Sequence, residues 1–257
     1  MAMPYPNVEG KHAYGAVYSP FDSINYRRRI DSMSDFLSPD GIVLTYQPLC
    51  LEEIFSLEEG LRSHQTIEGL YPLRSKDNKV GLFLCGPGAS HVSMIMEELI
   101  ARGTKKFLNI GIAGSLQKDL KVGDIVVCTR AIRDEGVSHH YINPGKYVGL
   151  SDDMTRNLRG ALSKHGLSFT IGTTWTIDTP FRETQEEVKQ YQAEGVLTVE
   201  METAALASIA QYRGVQFAAA FVISDLLVDG IWKPGFDSKH LAESLKKLHE
   251  ASLDVFL

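Results

Sequence analysis

The segment best suited to chemistry is GVLTVEMETAALASIA, residues 195–210. In it an apolar run ends in Glu200 and Glu202, which flank Met201, and small apolar residues follow. Carboxylates between hydrophobic stretches are costly to bury unless they accept hydrogen bonds. Two vicinal hydroxyl groups would bind one such carboxylate through two donors, and the soft thioether of Met201 suits the face of a sugar or a base. Alternatively, one glutamate caps the helix predicted at 203–213, and this alternative applies best to Glu200.

Another carboxylic acid, Asp225, follows the unbroken apolar run 215–223 and one serine. An acid placed directly after a buried strand can have its pKa raised until it serves as a general acid. The structural alternative is an aspartate that caps the next element. Asp225 is therefore a candidate for proton transfer.

Two glycine-containing turns complete the set of candidate site residues. The run 79–85 leads into Gly-Pro-Gly at 86–88 before a helix, and the run 105–111 leads into NIGIAGS at 109–115. Glycines at a strand-to-helix turn let backbone amides approach an anion or a sugar, although such a turn also occurs without any ligand. We predict that these turns meet the acidic residues at one edge of a sheet.

The elements that would position these residues are short apolar runs separated by amphipathic segments. Most of the runs are continuous rather than alternating, which fits strands buried on both faces. They occupy residues 41–46, 79–85, 105–111, 124–132, 168–177, 196–200 and 215–223. Helical periodicity marks 89–103, closed by Gly103, and 238–256, which Asp237 or Ser238 would cap. The alternation predicts a single-domain α/β fold, a three-layer sandwich with a mostly parallel central mixed sheet and helices on both faces.

Composition limits the classes of partner. The chain has 257 residues, of which 44% are hydrophobic and 23% charged, and a net charge of −6. This charge argues against nucleic acid or an anionic membrane as the main partner. No apolar run approaches the roughly 20 residues of a membrane span, and the first residues lack a signal-peptide pattern. The three widely spaced cysteines predict unpaired thiols in a reducing cytoplasm and no metal site.

We divide the chain into an N-terminal arm, 1–40, and a catalytic domain, 41–257. The arm mixes proline, tyrosine and charge and shows little periodicity before 31–37. It is predicted to pack on the body of the chain or on a neighbouring subunit.

The motifs GPGxS, NIGIAGSL followed by KVGDIVV, VEMETAAL and VISD, in this order and spacing, resemble the nucleoside phosphorylase and nucleosidase family. The similarity runs from about Val80 to the C-terminus. AIRDEGVSHHY (131–141) and IDTPFRET (177–184) resemble a branch often labelled uridine or purine nucleoside phosphorylases. The resemblance implies cleavage of the N-glycosidic bond of a nucleoside without a metal or organic cofactor. It also implies a homodimer or a homohexamer.

The resemblance further implies roles for individual residues. Glu202 would bind the ribose 2′- and 3′-hydroxyls above Met201, and Asp225 would protonate the departing purine or hydrogen-bond its N7. A pocket for phosphate, another anion or the nucleophile would be lined by Gly86, Gly88, Asn109, Gly111 and Ile112. The base would contact Phe181, Arg182, Ala113, Gly114 and Glu200. The short stretch 178–200 and the presence of Asp225 favour a purine.

The chain departs from the family pattern where the nucleophile binds. Phosphorolytic members carry Gly-Asp-Pro-x-Arg after the first strand and an arginine before the later glycine turn. Here these positions are Gln47-Pro48-Leu49-Cys50 and Asn109. Hydrolytic members also have an asparagine there, with glutamates that position water, for which Glu52 and Glu53 are candidates.

Arginines elsewhere in the chain are candidates for the missing charge. They are Arg133 and, in the arm, Arg27, Arg28 and Arg29, for which a solvated basic surface is the favoured explanation. We therefore predict ribosyl transfer to inorganic phosphate, with hydrolysis by water as the alternative. A non-catalytic nucleoside-binding or storage protein is the further alternative.

Overall fold

The computed structural model describes residues 6–30, 38–47, 69–73, 77 and 79–256. The α-helices of these residues are α1 Pro20–Ile30, α2 Ala89–Ala101, α3 Asp152–Lys164, α4 Gln185–Ala193, α5 Thr203–Arg213 and α6 Lys239–Ser252. The strands are β1 Gly41–Thr45, β2 Leu70–Pro72, β3 Val80–Leu84, β4 Lys106–Ser115, β5 Ile125–Asp134, β6 Tyr147–Gly149, β7 Thr170–Ile177, β8 Thr198–Glu200, β9 Gln216–Val228 and β10 Ile231–Pro234. Within these ranges no helix combines the length and apolar character needed to cross a membrane.

Strand β4 belongs both to an open sheet and to a closed barrel. Residues 106–110 of β4 pair in parallel with β1, and the sheet continues through β3 to β2. Further along the same edge, Gly114 and Ser115 pair with β8 instead. The other edge of β4 pairs with β9, from which the path runs through β5 and β7 back to β8. Five strands therefore close into a barrel that shares β4 with the open sheet.

This topology corrects one part of the predicted fold, the mostly parallel sandwich. Of the ten strand pairings in the described residues, five are parallel and five antiparallel. The reason is the length of β4 and β9, which have 10 and 13 residues. The last residues of β4 pair with β8, and β9 pairs with β5 through its middle and with β10 through its last residues, which curls the sheet. The single-domain α/β class is confirmed.

Two predicted strand ends, at residues 111 and 223, also lie inside strands. β4 and β9 run side by side past these points, so their backbone groups are paired where turns were predicted. The register shifts between Ala113 and Gly114, because Ser224 is an extra residue in β9. Such a bulge bends a strand and redirects its side chains. Asp225 therefore extends from a bulged strand instead of following a strand end.

The two faces of the central strands are both covered by helices, as predicted. Leu108 and Ile110 of β4 belong to a core that includes residues of α3 and α6. Phe107, adjacent to Leu108 along β4, belongs to the opposite core, which includes residues of α2 and α5. Alternate strand residues point to opposite faces, which explains the continuous apolar run.

Both periodic segments form helices. Gly103 follows α2 with a φ of 110°, which matches the predicted end of that helix. Ser238 precedes α6, and its hydroxyl accepts a hydrogen bond from the amide of Leu241 at 3.5 Å. Of the two predicted caps, Ser238 is therefore the one used.

The described parts of the arm, residues 6–30 and 38–40, contact the body of the same chain. Arg27 of α1 forms an ion pair with Glu98 of α2 at 3.0 Å. The ring Nε2 of His12 lies 2.8 Å from the carbonyl oxygen of His139. Residues 1–5 and 31–37 lie outside the described residues, and the domain boundary at 40 stays a prediction.

Candidate active site

Glu200 is held by the protein on both of its carboxylate oxygens. Thr176 of β7 donates its hydroxyl to Oε1 at 2.5 Å. Oε2 accepts the amide of Glu202 at 2.9 Å, and the amide and hydroxyl of Thr203 both at 2.8 Å. These donors lie at the start of α5, where an anion is favourable. The geometry favours the capping alternative for Glu200 over its predicted contact with the base.

Glu202 instead extends away from α5 to the turn after β3. Its Oε1 accepts a hydrogen bond from the amide of Gly88 at 2.5 Å, and the side chain is buried. Gly88 has a φ of 112°, which residues with a side chain rarely adopt, and it is the N-cap residue of α2. The predicted meeting of the Gly-Pro-Gly turn with Glu202 is therefore present in the structure. The Gly88 amide, predicted for the phosphate pocket, is used by this carboxylate.

Burial makes the two glutamates harder to ionise than free side chains. Desolvation, together with the neighbouring charge of Glu200, raises the pKa of Glu202 to about 8. Desolvation also raises the pKa of Glu200, against four hydrogen bonds that lower it. Glu202 accepts fewer hydrogen bonds from the protein than Glu200 does. Hydrogen-bond donors of a ligand would therefore stabilise the ionised form of Glu202 more than that of Glu200.

The raised pKa of Glu202 predicts a specific pH dependence of stability. Because its folded pKa lies above the unfolded value of 4.5, folding takes up a proton between these values. The resulting stabilisation is complete below about pH 4.5 and is lost as the pH rises through about 8. Relative to Glu202→Gln, the wild-type free energy of unfolding should fall by up to about 1.4 kcal/mol per pH unit in this window.

Urea unfolding between about pH 5 and pH 8 checks this prediction. Glu243→Gln, on the exposed surface of α6, removes the same charge and should keep the wild-type slope. Equal slopes for wild type and Glu202→Gln would contradict the assignment.

Hydrogen-bonded polar side chains directly after β1 and on β4 lie close to the glutamates. The hydroxyl of Tyr46 donates to Asn109 Oδ1 at 2.7 Å, and Asn109 Nδ2 donates to the hydroxyl of Thr203 at 3.4 Å. Burial and the neighbouring charge of Glu202 raise the pKa of Tyr46. A side chain at Gly111 would meet the Tyr46 ring at 3.3 Å. Asn109 and Gly111 thus lie together, with Tyr46 covering the strand between them.

Asp225 is buried at the bulge of β9 and has a partner on each oxygen. Ser224 Oγ lies 2.6 Å from Oδ1, and the indole Nε1 of Trp232 donates to Oδ2 at 2.9 Å. A Cβ at Gly114 would lie 3.2 Å from Oδ2 and 2.6 Å from Leu227. Glycine at 114 is therefore required for the close approach of β4 to Asp225.

The segment predicted to cover the base reaches Asp225 through a residue that sequence analysis did not select. Burial and the charges of Asp225 and Glu187 raise the pKa of Glu183 to about 7. The side chains of Phe181 and Arg182 are exposed, that of Phe181 by 98%. Glu183 is thus near enough to Asp225 for the charge of Asp225 to raise its pKa, whereas Phe181 and Arg182 face outward.

The other predicted residues lie on the same elements. Gly86, Ile112 and Met201 are partly exposed, whereas Ala113 is buried and its carbonyl oxygen lies 3.3 Å from Ser224 Oγ. At about 3.3 Å per residue, Asn109 and Gly114 are about 16 Å apart along β4. The two polar groups therefore lie at different heights along β4.

The described arginines proposed for the nucleophile have other partners. Arg133 is buried and donates to Ser138 Oγ and to the carbonyl oxygens of Ile142, Asn143 and Gly145. Arg27 pairs with Glu98, and the guanidinium of Arg29 lies 5.9 Å from the ring centre of Tyr26. Pro48, Leu49, Cys50, Glu52 and Glu53 lie outside the described residues. Within the described ranges, no group of three or more His, Cys, Asp or Glu side chains is arranged to hold a metal ion.

One sequence signal would have found Trp232. Asp229 and Gly230 have φ values of 58° and 69° and join β9 to β10. Asp-Gly between apolar runs is a strong hairpin signal. No comparable signal marks Tyr46 or Glu183, which reach the site through tertiary packing.

The fold is α/β, and its buried acids lie at the end of β8, directly after it and within β9. Residues 44–254 match the family model described as the phosphorylase superfamily. The chain therefore belongs to the phosphorylase superfamily, which confirms the resemblance read from the sequence.

Individual relatives agree with this family. A DeoD-type purine nucleoside phosphorylase of Bacillus cytotoxicus is 30% identical over 196 residues, 74% of this chain and 83% of the relative. A guanosine phosphorylase of Halorubrum lacusprofundi is 30% identical over 173 residues, 67% of this chain and 71% of the relative. A crystal structure of uridine phosphorylase from Vibrio fischeri in complex with 6-hydroxy-1-naphthoic acid superposes with a TM-score of 0.74 at 22% identity. It covers 86% of this chain and 93% of that chain, and supports the fold.

Proposed function

We propose that the protein cleaves the N-glycosidic bond of a nucleoside, with a purine favoured, and transfers the ribosyl group to inorganic phosphate. The observation that carries the proposal is the buried Glu202, anchored by Gly88 just after β8, with the buried Asp225 close to Gly114, which pairs with Val199 of β8. Phosphorylase names among the relatives favour phosphorolysis over hydrolysis or mere binding.

The sugar would bind at Glu202. The fold has already removed most water from its carboxylate, so two ribose hydroxyl groups would supply the hydrogen bonds that water no longer makes. Those donors favour the ionised form, and nucleoside binding should therefore release a proton near neutral pH. Met201, partly exposed next to this carboxylate, would support the sugar.

The base would bind between Gly114 and the 177–184 segment. The bond to the base breaks through an oxocarbenium-like sugar, and its electron pair leaves with the base. Asp225 would give this base a proton and become a carboxylate. Ala113 and Gly114 would line the base, and Phe181 and Arg182 would close over it from the short helical turn that also carries Glu183.

Phosphate would attack the anomeric carbon from the other face of the sugar and form ribose 1-phosphate. Gly86, Gly111 and Ile112 would line this pocket with Asn109, whose amide is held between Tyr46 and Thr203. No organic cofactor or metal enters this scheme.

We further propose a homodimer or homohexamer in the cytoplasm. Cys85 and Cys128 are buried and unpaired, which suits a reducing compartment.

Measuring free base from a panel of purine and pyrimidine nucleosides, with and without phosphate, tests the proposal. We expect release of purine base that depends on phosphate and yields one ribose 1-phosphate for each base. Release at the same rate without phosphate would replace phosphorolysis by hydrolysis. Saturable binding with no release from any nucleoside would overturn the enzyme assignment.

A further inference from the structure

The hairpin formed by β9 and β10 places an aromatic side chain against the proposed acid. The two strands pair antiparallel, with Trp232 opposite Leu227 and Pro234 opposite Asp225. From this position the indole N–H of Trp232 donates to Asp225 Oδ2 at 2.9 Å. The ring itself is 59% exposed, and its centre lies 6.3 Å from that of Phe236. An exposed ring thus makes a direct hydrogen bond to a buried carboxyl group.

We propose that Trp232 is a positioning residue that holds the carboxyl group of Asp225 before and after proton transfer. This inference rests on the proposed function, in which Asp225 protonates the leaving base. Trp232 would touch neither the sugar nor phosphate and would act through Asp225.

The chemistry of the two donors at Asp225 supports this role. An indole N–H can only donate, so its bond to Oδ2 persists whether Asp225 is neutral or ionised. The hydroxyl of Ser224 can both donate and accept, and lies 2.6 Å from Oδ1 and 3.3 Å from the carbonyl oxygen of Ala113. The Ser224 hydroxyl can therefore accept from the neutral carboxyl group and donate to the carboxylate, whereas Trp232 donates in both states and keeps the carboxyl plane fixed.

The neighbouring charge makes this donor more important. Glu183 is an electrostatic neighbour of Asp225, and like charges disfavour each other. When Asp225 has given its proton to the base, the N–H of Trp232 would stabilise the carboxylate left behind.

Trp232→Phe keeps an aromatic ring and removes the N–H donor together with the pyrrole part of the indole. We expect kcat for a purine nucleoside to fall about tenfold to a hundredfold, the usual effect of losing a hydrogen bond to a charged group. KM should change less than about threefold, because Glu202 still binds the sugar. Ile231→Ala, on the opposite face of β10, serves as the matched control and should keep the wild-type kcat.

A double-mutant cycle separates positioning from general stability. If Trp232 acts through Asp225, adding Trp232→Phe to Asp225→Asn should lower kcat no further. Independent, multiplying losses in the double variant would overturn the proposal, as would an unchanged kcat in Trp232→Phe.

Fluorescence tests the contact without any turnover. The chain has two tryptophans. Unlike the exposed Trp232, Trp175 is fully buried, in a hydrophobic cluster with Ile177 and Val188. Asp225→Ala, which removes the acceptor of the indole N–H, should therefore change the emission of Trp232 and not that of Trp175, and the change should vanish in the Trp232→Phe background. If no nucleoside is cleaved, the proposed function fails while this emission change still supports the contact. Identical emission of wild type and Asp225→Ala would overturn the contact itself.

Discussion

Replacing Glu202 with alanine is expected to abolish saturable nucleoside binding and to lower kcat/KM by about a hundredfold to ten-thousandfold. Each ribose hydroxyl that donates to this buried carboxylate contributes about 1.5–3 kcal/mol, and both contacts are lost together. Binding is measured by calorimetry and turnover by release of free base. The protein should remain folded, because Glu200 and not Glu202 holds the start of α5.

The sugar hydroxyls provide the control for this prediction. A 2′,3′-dideoxynucleoside should bind the wild type about as poorly as the ordinary nucleoside binds Glu202→Ala. The variant should not distinguish the two ligands, whereas Glu243→Ala on the surface of α6 should distinguish them as the wild type does. Full discrimination by Glu202→Ala would show that another residue binds the diol.

Asp225→Asn is expected to lower kcat for purine nucleosides by about a hundredfold to ten-thousandfold and to leave KM nearly unchanged. Asparagine has the same shape and still accepts the N–H of Trp232, but it has no proton of suitable acidity for the leaving base. Steady-state kinetics with inosine or guanosine measure the change.

The leaving group distinguishes proton transfer from simple disruption of the site. A purine nucleoside methylated at N7 has a cationic base that leaves without a proton. Its cleavage should therefore lose less than about tenfold in Asp225→Asn. Equal losses for the methylated and ordinary nucleosides would remove the acid role from Asp225.

The order and types of the site residues were predictable from the sequence because each follows a recognisable pattern. Apolar runs predicted the strands, and helical periodicity predicted α2 and α6 with the Ser238 cap. The motif VEMETAAL indicated the family, which the comparisons confirm. The sequence did not establish which of its two glutamates caps the helix and which faces a ligand, because residues 200 and 202 have nearly the same neighbours in the chain.

Tertiary structure decided which glutamate is free for a ligand. Thr176, on a neighbouring strand, takes one oxygen of Glu200, and Gly88, 114 residues away in the chain, takes one of Glu202. Hydrogen-bond partners so distant in the chain leave no local pattern.

By itself the sequence determined the family, seven of the ten described strands, three of the six described α-helices and the candidate acids, because these depend on local patterning and motif spacing. Only the tertiary structure decided the closed barrel, the bulge at Ser224 and the contact between Trp232 and Asp225. Strand length and pairing produce these features, since β4 and β9 continue past their predicted ends to meet new neighbours. That continuation turns Asp225 from a residue after a strand into one held within it.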